Sequence, residues 1–323
     1  MEGVLRLKKL RLNPVLRRKD LGRRIKKYGA LYAFIAPALV WFALFCYIPM
    51  FLGVLLAFKE YTIFDKFSGP FASPFYFYIK IFFTLPELPN MIRNTFIIAF
   101  IRLLLFPAPI ILALMLNEVR NPAFKKIVQT ITYLPFFISW LIVTTMLEQL
   151  LSPYGAGGPL YMLLQAIGHK DTITFYMIDK PYFYPLVIFT YLWKTIGWNS
   201  IIYLAALSNI NKELVDAAKI DGVNRFEMIW HIYLPTIKPI IGLLFIQSLG
   251  SMLFAGFEQI YFLQSEANIV YSDVLDVFVV VNGLEKGNYT IAAIAGLFQG
   301  LIGLLFIYIG NTILKKTSDI SLW

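Results

Sequence analysis

The chain has 323 residues, of which 59% are hydrophobic and only 15% charged, and its mean hydropathy is +0.68. A soluble domain carries about 25% charged residues, so this composition argues against an ordinary water-soluble protein and makes lipid the solvent for most of the chain. The net charge of +10 would suit nucleic acid, but the excess lies beside an apolar run, where anionic lipid is the nearer partner.

The first 28 residues form a basic segment, with Arg6, Lys8, Lys9, Arg11, Arg17, Arg18, Lys19, Arg23, Arg24, Lys26 and Lys27. Residues 13–27 read as an amphipathic helix on the inner membrane surface. Six nearly uncharged runs follow, at 30–58, 94–116, 127–146, 184–207, 237–263 and 289–314. Each approaches or exceeds the roughly 20 residues a helix needs to cross the hydrocarbon. They predict an all-α membrane protein of about six spans and not a barrel, whose strands alternate over roughly 10 residues. The first run is longer than the roughly 7 to 15 apolar residues of a cleavable signal, so it reads as an uncleaved anchor. The domain assignment is a segment at 1–28, a transmembrane domain at 29–316 and a tail at 317–323.

Arg120, Lys125, Lys126, Lys212, Lys219, Arg225, Lys238, Lys315 and Lys316 fall on the same side as the basic segment, against Lys59, Lys66, Lys80, Lys170, Lys180 and Lys286 opposite. Both termini are therefore expected in the cytoplasm. The outer loop at 60–89 is rich in Phe, Tyr and Pro, and "SPYGAGGP" at 152–159 is rich in turn formers. Such loops anchor at the interface or cap a pathway. Pro37, Pro49, Pro107, Pro109 and Pro135 predict kinked spans. Ala292, Gly296, Gly300 and Gly303 form a small-residue face for close helix approach, within the chain or with a second subunit.

Cys46 is the only cysteine and reads as packing. His169 and His231 are far apart, with no ligand-spaced Cys or His around them, so no metal site is expected. The chain contains no phosphate loop, no GxSxG elbow and no HExxH. It is read as neither an enzyme nor its own ATPase.

Polar side chains inside apolar runs are costly and mark candidate sites. In the fifth run Gln247, Ser251 and Glu258 share one helical face with Phe254, and Gln259 adjoins them. Gln129, Tyr133, Trp140 and Thr144 trace a face of the third. Tyr191, Lys194 and Trp198 do so in the fourth, followed by Asn199. Aromatic planes with amide and charged groups suit a sugar, which needs stacking for its CH face and partners for its hydroxyls. The alternative is pairing between helices, for instance Lys194 with Glu258. Arg102, in mid-span, either faces a cavity or snorkels; with Lys194 it would suit an acidic saccharide.

The charged insert "DAAKIDGVNRFEMIWHIYLP" stands between two apolar runs, within a cytoplasmic loop at 208–236. Asn211 is a candidate N-cap for "KELVDAAKI", whose Leu214, Ala217, Ala218 and Ile220 give one less polar side. Asp221-Gly222 supplies a turn, and a second helix, "RFEMIWHIYL", is expected to end or kink at Pro235. That helix-turn-helix has the shape of a docking element.

Asp216, Ala217, Ala218, Gly222, Ile232, Leu234 and Pro235 reproduce a spacing that resembles the EAA loop of permease subunits in binding-protein-dependent ABC importers, with Asp in place of the usual leading Glu. "FPAPIILALMLNEVRNPAFKKIVQTITYLPFFISW", "WKTIGWNSIIYLAALSNI" and "FEQI" resemble the carbohydrate permeases that handle complex, uronate-containing oligosaccharides. The resemblance runs over about 30–316. It implies the type I importer permease fold in a bacterial cytoplasmic membrane. It also implies a second homologous permease, two ATPase subunits that bind the ATP and Mg, an extracytoplasmic binding protein and an oligosaccharide cargo. Glu213, Asp216, Ala217, Ala218, Lys219, Asp221, Gly222, Arg225, Ile232, Leu234 and Pro235 would then form the ATPase-coupling surface. Tyr133, Trp140, Tyr191, Lys194, Trp198, Asn199, Gln247, Ser251, Glu258 and Gln259 are the candidates for the substrate pathway. The rival reading is an ion-coupled secondary transporter of sugars, which requires inverted repeats and a buried carboxylate; no repeat is evident, and Glu258 is the one fair candidate for that carboxylate.

Overall fold

A computed structural model describes residues 27–58, 73–155, 157–168 and 175–318. Residues 13–26 of the expected amphipathic helix, the outer loop through residue 72, His169, Lys170 and the tail from 319 lie outside the described residues. The chain divides into two compact units, Met1–Leu56 and Ala57–Trp323. The first holds nearly all of one described helix, α1 (Gly29–Phe58). Pro37 sits inside it without ending it, and Ala43–Tyr47 forms a π-helical turn.

The second unit contains α2 (Ser73–Thr84), α3 (Leu88–Glu118), α4 (Pro122–Phe137), α5 (Trp140–Leu151), α6 (Pro159–Ile167), α7 (Lys180–Ser208) and α8 (Lys212–Ile220). It continues with α9 (Arg225–Gly250), α10 (Phe257–Leu263), α11 (Ile269–Ser272), α12 (Leu275–Val280) and α13 (Tyr289–Ser318). Among the described residues there is no strand. By length and composition α1, α3, α9 and α13 can each cross a membrane, and the bent pair α4–α5 counts as a fifth. With 29 residues, α7 has the length, about 1.5 Å per residue, but Thr190, Lys194, Thr195, Asn199 and Ser200 dilute its apolar character.

Two of the expected spans are broken. The third bends by 97° between α4 and α5. Pro135 removes a backbone donor, Leu134–Phe137 tightens into a 3-10 turn, Ile138 is extended, and the Ser139 hydroxyl caps α5 by accepting from the Ile142 amide at 3.3 Å. The fifth is interrupted between α9 and α10, where Gly256 has φ +85°. A single helical face through Gln247, Ser251 and Glu258 therefore does not exist, nor does one through Tyr133 and Trp140. Of the end or kink expected at Pro235, the end is absent: a π-helical turn, Ile229–Tyr233, precedes the proline, which sits at the head of the following helical stretch, and α9 runs on to Gly250.

In lipid, freed backbone groups must find partners inside the protein. At the α9–α10 break, the Gly256 amide donates to Asp276 Oδ2 at 2.9 Å, and the Leu253 carbonyl accepts from Gln299 Nε2 at 2.9 Å. Gln299 also donates to Asp276 Oδ1 at 2.7 Å. An unwound segment whose freed groups find such partners can line a cavity.

Packing concentrates in separate cores. One joins Ile110, Ala113 and Leu114 of α3 to Tyr203 and Leu207 of α7, Ala218 of α8 and Met228 of α9. Another joins Ile98 of α3, Phe183 and Val187 of α7, Ile260 of α10 and Val274. Lipid is as apolar as these side chains, so their cohesion is close packing and interhelical hydrogen bonding, not expulsion of water. Along the small-residue face the close approach is at Gly303, whose added Cβ would lie 2.6 Å from the Gly250 carbonyl oxygen, whereas Gly296 and Gly300 meet nothing within 4 Å.

Candidate functional site

Between those two cores, read along α3, α7 and α9, lies a cavity of about 390 Å³. Its wall takes Ala99 to Pro109 from α3, Tyr191 to Tyr203 from α7, and Leu244 to Phe254 from α9 and its unwound end. Tyr191, Thr195 and Asn199 follow one another at i, i+4 and i+8 on α7, the spacing that stacks side chains on one helix face. Gln247, Ser248 and Ser251 of α9 line the same cavity, Phe254 adds an apolar plane, and Arg102 belongs to the wall.

Of the ten pathway candidates, the cavity gathers Tyr191, Asn199, Gln247 and Ser251. The unwinding after Gly250 places Glu258 on α10, exposed and away from this wall. Gln259 is buried, with Nε2 donating to the Val187 carbonyl at 2.7 Å and to Thr190 Oγ1 at 2.9 Å while Oε1 accepts from Arg102 at 2.6 Å. It ties α10 to α7 and α3. Lys194 makes no ion pair with Glu258; its ammonium donates to the carbonyls of Phe136 at 2.9 Å, Pro135 at 3.3 Å and Ile138. Trp140 lies 5.3 Å from that ammonium, and Trp198 stacks on Phe136 at 4.3 Å. Tyr133 lies against Gly197, where an added Cβ would come within 2.1 Å of the Thr132 carbonyl oxygen. Lys194, Trp140, Trp198 and Tyr133 thus surround the α4–α5 bend. Thr195 and Phe254 were not among the ten candidates; the i, i+4 row from Tyr191 runs through Thr195 to Asn199, while Lys194 and Trp198 lie on the parallel row one residue earlier.

The charged loop stands at the other end of the α3–α7–α9 core. Asn211 Oδ1 caps α8 by accepting from the Glu213 amide at 2.9 Å. The helix closes with the Val223 amide on the Ala218 carbonyl at 3.0 Å and Gly222 at φ +81°, a glycine C-cap of the Schellman type. Asn224 then accepts from the Phe226 and Glu227 amides, both at 3.0 Å, and Glu227 accepts from the Asn224 amide at 2.8 Å, a capping box. The loop is therefore rigid in its own hydrogen bonds. Ala218 points inward to the core, whereas Leu214, Ala217 and Ile220 form an outward row, Ile220 being 87% exposed. Glu213, Asp221 and Gly222 are exposed, as is Pro235, while Ile232 and Leu234 are half-buried against the core. Asp216 pairs with Lys219 at 2.9 Å and Arg225 lies 3.8 Å from Glu118; so exposed an i, i+3 pair as the first contributes little to stability.

In the first turns of α3, Asn94 Nδ2 donates to the Val270 and Asp273 carbonyls at 3.1 and 2.9 Å, fastening that end of the helix to α11 and the residue after it. Burial, and then the negative charge of Glu87, push the Asp273 carboxyl up to about 6. A carboxyl with a raised folded-state value helps folding most when protonated, and that help is lost as pH rises through about 6. The thermal midpoint of the purified protein is expected to fall between about pH 4 and 6 and to level off above, and Asp273→Asn to flatten that decline. An unchanged slope in the variant would remove Asp273 as its source.

These observations define an α-helical membrane protein with a polar cavity walled by broken helices and a rigid, exposed loop at one end of its core. Residues 105–318 match the family described as the binding-protein-dependent transport system inner membrane component, and the chain belongs to that family. Protein LplB of Bacillus subtilis (strain 168) is 38% identical over 295 residues, 90% of each chain. The polygalacturonan/rhamnogalacturonan transport system permease protein YteP of the same organism is 36% identical over 304 residues, covering 94% of this chain and 93% of that one. Among solved structures, a chain of the bacterial alginate ABC transporter in complex with alginate pentasaccharide-bound periplasmic protein superposes with a TM-score of 0.80 at 34% identity, over 93% of this chain and 99% of that one.

Proposed function

We propose that this chain is one of two homologous permeases in an ATP-driven importer of a bacterial cytoplasmic membrane. An extracytoplasmic binding protein hands an oligosaccharide, acidic ones included, to the cavity between α3, α7 and α9. Two ATPase subunits, which bind the ATP and Mg, dock on the α8–Gly222–α9 loop. The chain itself carries no catalytic group. Supporting this reading is the cavity wall itself: the phenol of Tyr191, the amides of Asn199 and Gln247, the hydroxyls of Thr195 and Ser251 and the ring of Phe254 match a sugar's alternation of hydroxyls and apolar CH faces.

ATPase closure would move the outward row Leu214–Ala217–Ile220, and the core containing Ala218, Met228 and Tyr203 would carry that motion into α3, α7 and α9 as a rigid body. The test is uptake into vesicles holding the two permeases with and without the ATPases. Import that needs ATP, the ATPases and the binding protein is expected; import that persists without ATPase or follows an ion gradient supports the secondary-transporter reading instead.

A further inference from the structure

Arg102 is a cation set in the middle of an apolar span, and a charge there is expensive unless something answers it. Its Nη2 donates to Gln259 Oε1 at 2.6 Å, a neutral amide, and its guanidinium lies 4.2 Å from the ring centre of Tyr191. Its Nε is buried with no hydrogen-bond partner. Among the described residues the ion pairs within 4.0 Å are Lys219–Asp216 and Arg225–Glu118, so no carboxylate meets Arg102. Asp276 stands across the Gly256 peptide and acts on the guanidinium through space, but it makes no ion pair with it within 4.0 Å; its Oδ2 accepts from the Gly256 amide and its Oδ1 from Gln299.

The guanidinium has neighbours on several sides. Gly256, at φ +85°, fits beneath it, since an added Cβ would lie 2.8 Å from Nη1. Tyr191 and Gln259 hold the other sides. Arg102 nevertheless lines the cavity, together with Tyr191, Asn199 and Gln247. A charged fork with unused donors, in the wall of a cavity otherwise suited to hydroxyls, is built for the planar oxygens of a carboxylate.

We propose that Arg102 is the residue of this cavity that binds the carboxylate of an acidic sugar unit and so selects acidic over neutral oligosaccharides. This rests on the importer reading above. Tyr191 stacks on the guanidinium from one side and Gln259 orients it, so the charge is presented to cargo ready-made, without a side-chain rearrangement on binding.

The experiment uses the full importer, with its partner permease, ATPases and binding protein, in vesicles. Uptake of an oligogalacturonate is compared with uptake of its methyl ester, which keeps every hydroxyl and loses the charge. The wild type is expected to take up the acid faster. Arg102→Gln should reduce acid uptake about 10- to 100-fold, the range of a lost charged hydrogen bond, while ester uptake and the thermal midpoint stay within a few-fold and a few degrees. Arg102→Lys should retain part of the acid preference. Because the binding protein is the same throughout, a change in the acid-to-ester ratio belongs to the permease. Equal loss of both cargoes in Arg102→Gln would make Arg102 a purely structural residue, and no loss of either would take it out of the cargo path. A wild type that imports only the ester overturns the carboxylate assignment and leaves the importer intact; one that imports neither sugar under ATP overturns the oligosaccharide reading itself.

Discussion

Replacing Gly222 with Pro is expected to abolish ATP-dependent uptake, by about 100-fold or more, and to release the ATPase subunits on purification, while the permease still inserts and folds. The cause is the backbone and not side-chain crowding. An added Cβ at Gly222 would meet nothing within 4 Å, but φ there is +81°, whereas a proline ring holds φ near −65°. Proline would also delete the Gly222 amide that donates to the Lys219 carbonyl at 3.2 Å. The α8 C-cap would open, and the outward row Leu214–Ala217–Ile220 would turn away from its present relation to the capping box at Asn224 and Glu227. Gly222→Asn is the informative companion, because asparagine visits the left-handed region at modest cost; it is expected to retain most uptake and ATPase association. The turn is exposed, so neither variant should shift the thermal midpoint by more than a few degrees. Normal uptake and ATPase association in the proline variant would remove the loop from the coupling path.

Why that loop was legible, and parts of the cavity were not, follows from where each residue finds its partner. Asn211 and Gly222 satisfy backbone groups within a few residues of themselves, so their chemistry can be read along the chain; the Asn224–Glu227 capping box is just as local and was missed. Ala218 differs: its place in the core depends on Ile110 and Tyr203, which only the folded chain brings near. The cavity shows the same division. Gln247 and Ser251 are polar groups on one helix face, and the structure keeps both on the wall. Glu258 is lost from that face because Gly256 interrupts the helix, and a periodicity argument carries no register across a break. On α7, choosing between the i+3 and i+4 rows from Tyr191 meant choosing between Lys194 and Thr195. The charged residue is the more conspicuous in sequence, yet its partners are carbonyls on α4 and in the bend, 56 to 59 positions away.

Those carbonyls set the second large expected effect: Lys194→Met should destabilise the protein by about 3 kcal/mol or more and reduce uptake of acidic and neutral sugars alike. An ammonium has three donors, and Lys194 directs them to the carbonyls of Pro135, Phe136 and Ile138, where the 97° bend ends the helical ladder of α4. A cation at a helix C-terminus is further favoured by the helix dipole. Lys194 is only 7% exposed, so after truncation no water easily replaces it, and each hydrogen bond to a charged group is worth about 1.5–3 kcal/mol. Arginine should not rescue the site. Its rigid planar fork does not match three carbonyls converging on one point, as the ammonium does. The measurements are the thermal midpoint in detergent and uptake of an oligogalacturonate and its methyl ester side by side. A methionine variant of normal stability that loses only the acidic cargo would make Lys194 a cargo ligand and cost Arg102 its distinct role. A variant that loses both together leaves the two buried cations with separate tasks, Lys194 holding the bend of the third span and Arg102 meeting the charge that passes through.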